Sequence, residues 1–205
     1  MSLRTADGRE VVFIHIPKTA GTSVWKVVGH PDGVPENITH ETAAHWRRFL
    51  GPERYDHALT FAVIRNPYDR FVAVWHYLAT QTEDHRYWPG DTKEREWMQG
   101  LGLDVETVAA NMPVEAVTDL RNAVHFVAQT QYLCIDGRCG VSQVLRFEHL
   151  ATDWLAMAEK FGLPSTLPHV NRTPGRRPAL SSAAKARIAD LYAADFAFLR
   201  EVYQP

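Results

Sequence analysis

The run VVFIH, Val11 to His15, constrains the fold more than any other stretch of the chain. Its β-branched and aromatic residues show no polar alternation, which is the pattern of a strand buried on both faces inside a helix-covered parallel sheet. A helix-compatible segment, Ser23 to Val28, follows after a short connection. A second apolar run, LTFAVIR ending at Arg65, has the same character and also leads straight into a helix-compatible segment. Strands alternating with helices predict an α/β fold with a mainly parallel central sheet flanked by helices. With 205 residues and 45% hydrophobic content the chain can bury a sizeable core, and it is read as a single domain over residues 1–205.

The connection after the first strand, IPKTAGTS, joins that strand to its helix through Pro17, Lys18, Thr19, Ala20, Gly21, Thr22 and Ser23. A helix N-terminus presents unpaired N–H groups and a partial positive charge. Lys18, the Gly21 backbone, Thr22 and Ser23 therefore suit a phosphate or sulfate group. An ordinary strand-to-helix turn is the alternative. The ATP- and GTP-binding loop needs its lysine directly after the second glycine, followed by a magnesium-binding hydroxyl. Here Lys18 precedes Gly21, and LTFAVIR ends in Arg65 where a kinase or NTPase would carry a magnesium-binding Asp. The loop is P-loop-like in position only, suited to neutralising phosphate with protein cations rather than a metal.

A second motif starts at that arginine, in RNPYDRFVAVWHY. Asn66 suits an N-cap, Pro67 the first helical position, and Asp69 the positive end of the helix. Arg65 is placed at the carboxyl end of its strand, the side on which open parallel sheets bind ligands. Arg70, Ala73 and Tyr77 share one helical face, while Phe71, Val74 and Leu78 form a core stripe. An arginine fork makes two parallel charge-assisted bonds to a terminal phosphate, although pairing to a surface carboxylate is the other common use.

Together the two segments resemble the sulfotransferases that use 3′-phosphoadenosine 5′-phosphosulfate (PAPS), nearest the group related to carbohydrate and heparan sulfate 2-O-sulfotransferases. In that family a PKTAGT-like loop, here Pro17 to Ser23, holds the 5′-phosphosulfate, and an R-x-P-x-x-R-x-x-S segment, here Arg65 to Ala73, binds the 3′-phosphate. The resemblance continues through Thr39 to Thr42, Gln131 to Leu133, Arg146 to Glu148 and Leu167 to Asn171. It implies a nucleotide-binding transferase with PAPS as donor, adenosine 3′,5′-bisphosphate as product, no metal, and a small-molecule or glycan hydroxyl as acceptor. Ala73 departs from the family serine, so one hydroxyl contact worth on the order of 1.5 to 3 kcal/mol is missing. Arg70, Arg172, Arg176 and Arg177 are the candidates to compensate, and Tyr132 with the Arg172 to Arg177 loop to cover the adenine.

Of ten histidines, His40 lies where similar family members carry the catalytic one. The resemblance makes His40 the base that takes the acceptor proton, with Glu41 as the alternative, and Lys18 the group that stabilises charge on the leaving phosphate. His15 reads as a packed strand residue. The spacing from His40-Glu41 to His45 is one residue too long for the H-E-x-x-H zinc motif. A nucleotide or nucleoside kinase and a non-catalytic nucleotide-binding protein are the competing classes.

Charge and composition set the remaining expectations. A balance of 22 basic against 24 acidic residues gives no nucleic-acid or membrane-surface signature. No apolar run approaches the roughly 20 residues that span a bilayer, and no signal-peptide pattern opens the sequence, so a cytoplasmic location is expected. Cys134 and Cys139 flank the turn-like Ile135-Asp136-Gly137-Arg138, where a strand pair would bring them close; a reducing compartment favours thiols. Asn37-Ile38-Thr39 matches a glycosylation sequon without a secretory route to support it. Helices are expected from His40 to Leu50, over Val105 to Ala128 with a break near Pro113, from Asp153 to Phe161, and after a cap at Ser181 or Ser182. Thr80 to Gly102 reads as an irregular insertion.

Overall fold

The computed structural model describes residues 3–34, 39–80, 89–120, 123–168 and 178–202. In chain order the elements are β1 (Val11–Ile14), α1 (Gly21–Val28), α2 (Ala43–Leu50), α3 (Pro52–His57), β2 (Leu59–Ile64), α4 (Pro67–Thr80), α5 (Pro89–Leu101), α6 (Val105–Asn111) and α7 (Glu115–Thr118). They continue with α8 (Gln129–Leu133), β3 (Cys134–Ile135), β4 (Arg138–Cys139), β5 (Gln143–Arg146), α9 (Leu150–Phe161), α10 (Ser182–Leu191) and α11 (Ala193–Val202). The chain divides into two compact units, Met1–Arg65 with Gln129–Thr173, and Asn66–Ala128 with Pro174–Pro205.

The first unit holds the parallel sheet, in the order β1-β2-β5. Val11 pairs with Leu59 and Ile14 with Ala62, while Phe61 to Ile64 of β2 pair with Gln143 to Arg146 on the other side. Every residue of β1 and β2 is buried, as their unbroken apolar runs require. Phe13, Phe61, Val63, Val24, Leu145, Trp154 and Met157 form the core between the sheet and its helices. A polar clasp and a tight turn trim this unit. The Arg146 backbone N–H and guanidinium donate to the Asp153 carboxylate at 2.6 to 2.9 Å, tying the end of β5 to α9. Asp136 and Gly137, both at positive φ, turn β3 onto β4 so that Cys134 faces Cys139, and both cysteines are thiols.

The second unit is helical. The α4 stripe Phe71, Val74 and Leu78 packs with Met98, Val108, Met112, Phe126, Ile188 and Tyr192. Asn66 caps α4 by accepting from the Tyr68 N–H at 3.0 Å, and Ser181 caps α10 by accepting from the Ala184 N–H at 3.1 Å. The segment expected to be irregular is corrected over its described part. Helix-forming Glu, Arg, Met and Gln carry α5, with Asp91 in its first turn, Met98 in the core and Trp97 and Leu101 packed against it. Among the described residues no helix is long and apolar enough to cross a membrane.

Candidate functional site

Because β1 and β2 run parallel, the segments that follow them leave the same end of the sheet. The loop after β1 is shaped by two non-glycine residues in the left-handed region, Lys18 at φ 65° and Ala20 at φ 69°. Such residues cost about 1 kcal/mol or more each and mark backbone held for a purpose. Inside the turn the Thr19 hydroxyl, fully buried, donates to the Ile16 carbonyl at 2.8 Å and closes the loop. Helix α1 then starts at Gly21 with Ala20 in the cap position, so no side chain caps it, and no acidic residue lies in its first turn. The N–H groups of Ser23 and Val24 turn back to the Ala20 carbonyl at 3.0 and 3.3 Å. Gly21 and Thr22 present the first amides of the helix, which have no acceptor within it. Lys18 and Ala20 are half-buried, Pro17 and Ser23 buried, and Thr22 exposed. Alternating backbone handedness before an uncapped helix, with a lysine in the turn, forms a concavity suited to an anion.

Arg65 closes the other side of this loop. It is buried, and its Nη1 donates to the Lys18 carbonyl at 3.0 Å, while its guanidinium lies 4.1 Å from the centre of the Phe147 ring. Gln129 grips the Arg65 main chain from both sides: its Oε1 accepts from the Arg65 N–H and its Nε2 donates to the Arg65 carbonyl, each at 2.8 Å. Neither Gln129 nor Phe147 carried a sequence signal for this role, because both partners are remote along the chain.

His40 stands beside the loop, itself at φ 54°. Its Nδ1 lies 3.1 Å from the His15 carbonyl, and its ring centroid is 4.2 Å from that of His15. A carbonyl only accepts, so the Nδ1 of His40 carries the proton, and in the neutral ring Nε2 keeps its lone pair. Glu41 turns away to His45, with Oε2 3.3 Å from its Nδ1. The Nδ1 of His15 accepts from the Trp25 indole at 2.9 Å. The His15 ring lies directly against Gly21, where an added Cβ would fall 1.6 Å from its Nε2. His15, expected as a packed strand residue, is packed and hydrogen-bonded just after β1, beside the loop.

Loop, Arg65 and His40 come together in the first unit. Tyr132 belongs to the same unit and is fully buried in α8. Arg70 and Ala73 belong to the second unit and are buried on α4. There the Arg70 fork donates to the carbonyls of Val127 at 2.9 Å and His125 at 2.8 Å. His125 is held in turn by Glu94, which accepts its backbone N–H at 2.9 Å and lies 2.7 Å from its Nδ1. Arg172 and Arg176, with Arg177, lie outside the described residues, as do Asn37 and Ile38 of the sequon.

No curated protein and no solved structure matches the chain. A family model does, over residues 1–204, and its description is Sulfotransferase family.

Proposed function

The chain belongs to the sulfotransferase family, and on that footing we propose that it transfers the sulfuryl group of PAPS to a hydroxyl acceptor, a carbohydrate or another alcohol, by in-line displacement. The observation that carries the reading is the start of α1: left-handed Lys18 and Ala20, no capping side chain and no acid in the first turn. A capping carboxylate there would compete with an anionic ligand; its absence leaves the amides and Lys18 to meet one.

The bound donor supplies an activated sulfuryl group on a phosphate leaving group. Lys18 and the first amides of α1 hold its phosphosulfate end and neutralise charge that grows on the phosphate. Arg65 keeps the loop in shape through the Lys18 carbonyl. His40, with Nδ1–H spent on the His15 carbonyl, offers Nε2 to the acceptor hydroxyl proton. The motif assigns the 3′-phosphate to Arg65 and Arg70, with Ala73 in place of the family serine.

The test separates donor binding from chemistry in two variants. Lys18→Ala should weaken adenosine 3′,5′-bisphosphate binding and slow transfer together, because Lys18 serves both ground state and transition state. His40→Ala should leave bisphosphate affinity near wild type and cut the rate roughly 100-fold or more. Calorimetry gives the first quantity, and single-turnover transfer from labelled donor, to acceptors screened among desulfated glycans, lipids and small alcohols, the second. Normal transfer by His40→Ala would remove it as the base and make Glu41 the residue to test.

A further inference from the structure

We propose that Cys134 and Cys139 form a redox site, a dithiol that an external disulfide of the glutathione class converts, in the folded protein, into a reversible cross-strand disulfide. The two cysteines are direct partners across the antiparallel pair β3–β4, next to the two-residue Asp136-Gly137 turn. Ile135 and Arg138 flank that turn, and beyond the cysteines the Gly140 N–H donates to the Leu133 carbonyl at 2.8 Å. Antiparallel ladders alternate between hydrogen-bonded and non-hydrogen-bonded pairs. Cys134 and Cys139 therefore occupy the non-hydrogen-bonded position, where opposed side chains lie closest. The usual Cα separation there, about 4.5 Å, falls within the range that a disulfide spans.

The hairpin is held at its base. The Tyr55 hydroxyl donates to the Gly140 carbonyl at 2.9 Å, and an added Cβ at Gly140 would fall 2.7 Å from Cγ1 of Ile135, so the Ile135 side chain packs against that glycine. Two residues on, the Ser142 N–H donates to the Thr60 hydroxyl at 2.9 Å and the Ser142 hydroxyl to the Thr60 carbonyl at 2.7 Å. On the other strand Cys134 continues directly from α8, whose Gln129 is fastened to the Arg65 main chain. The thiols are thus held opposite one another before any oxidation. Closing the six-residue loop from Cys134 to Cys139 asks for little backbone movement.

Access sets the order of events. Cys139 is exposed and Cys134 half-buried, so the Cys139 thiolate attacks one sulfur of the external disulfide, breaks its S–S bond and releases the first thiolate. The Cys134 thiolate then attacks the Cys139 sulfur, forms the internal S–S bond and expels the second thiolate. The two protons of the protein thiols pass through solvent to the two leaving thiolates. Two electrons move from the protein pair to the external disulfide, and excess reduced thiol runs both steps backwards.

The experiment equilibrates the full chain with set ratios of reduced and oxidised glutathione, traps remaining thiols by alkylation at low pH, and weighs the products. The oxidised wild type should be monomeric, lighter than the dithiol by two hydrogens, and carry no glutathione. Cys134→Ser should instead retain one glutathione on Cys139, which shows the intermediate that Cys134 resolves. Because the fold holds the pair opposed and the unfolded chain does not, the ratio of oxidised to reduced glutathione giving half oxidation should be roughly tenfold or more lower for native protein than for protein in concentrated urea. By linkage the oxidised protein should also unfold at a higher urea concentration than the dithiol form. Half oxidation at the same ratio in native and unfolded chains overturns the proposal, as does a wild type that keeps glutathione on one cysteine or joins two chains.

Discussion

Gly21 must be glycine because of its neighbour rather than its own backbone. In sequence it reads as the residue that lets an anion approach the main chain, yet the side chain it makes room for is His15. Gly21→Ala should expel that ring, break the Trp25 bond and cost about 1 to 3 kcal/mol, the usual range for overpacking. Urea unfolding reads the loss, and an unchanged midpoint would mean the ring moves aside freely. The residue scale is also where sequence reading stopped short. Lys18 and Ala20 in left-handed conformation leave no trace in composition, because glycine or asparagine is the usual sign of that geometry. Arg65 was legible as a cation at a strand end. Its partner, the carbonyl of Lys18, lies 47 residues away, beyond any local pattern.

Elements that bury both faces were the most legible, and β1 and β2 follow from their apolar runs alone. The Asp136-Gly137 turn was legible for a different reason, since both residues accept positive φ. Helix α5 was obscured by the Trp, Gly and charge around it, and its inward face shows only once Met98 is seen packed in the core. The clasp between β5 and α9 makes an element-scale prediction. Hydrogen bonds from Arg146 hold the Asp153 carboxyl below its ordinary range, and the opposing effect of partial burial does not cancel this. A lowered folded-state pKa stabilises the fold above the unfolded value, about pH 4, and that contribution disappears as pH falls through the folded one. Asp153→Asn should therefore lose about 1 to 3 kcal/mol at neutral pH and unfold with a shallower acid dependence, measured by denaturant melts from pH 7 down to pH 2. Equal losses at pH 7 and pH 2 would show that the charge is not what Arg146 holds.

For the whole molecule, the ligand test is one of linkage. Adenosine 3′,5′-bisphosphate at a hundredfold its Kd should add about 2.7 kcal/mol of apparent stability, and AMP at the same concentration clearly less. Equal thermal shifts would remove the 3′-phosphate assignment from Arg65 and Arg70. The α/β class was legible in sequence, but the helical core of Asn66–Ala128 with Pro174–Pro205 was not, because it joins segments far apart in the chain. The same long excursion has a consequence for synthesis on the ribosome. Strand β2 gains its β1 neighbour early, but its other neighbour, β5, begins only at Gln143. At the usual 5 to 20 residues per second the nascent chain carries one unpaired β2 edge for on the order of ten seconds. Chains stalled short of Gln143 should recruit holdase chaperones and aggregate on release, whereas chains stalled well beyond Arg146 should not, and ribosome pelleting of the two sets measures the difference.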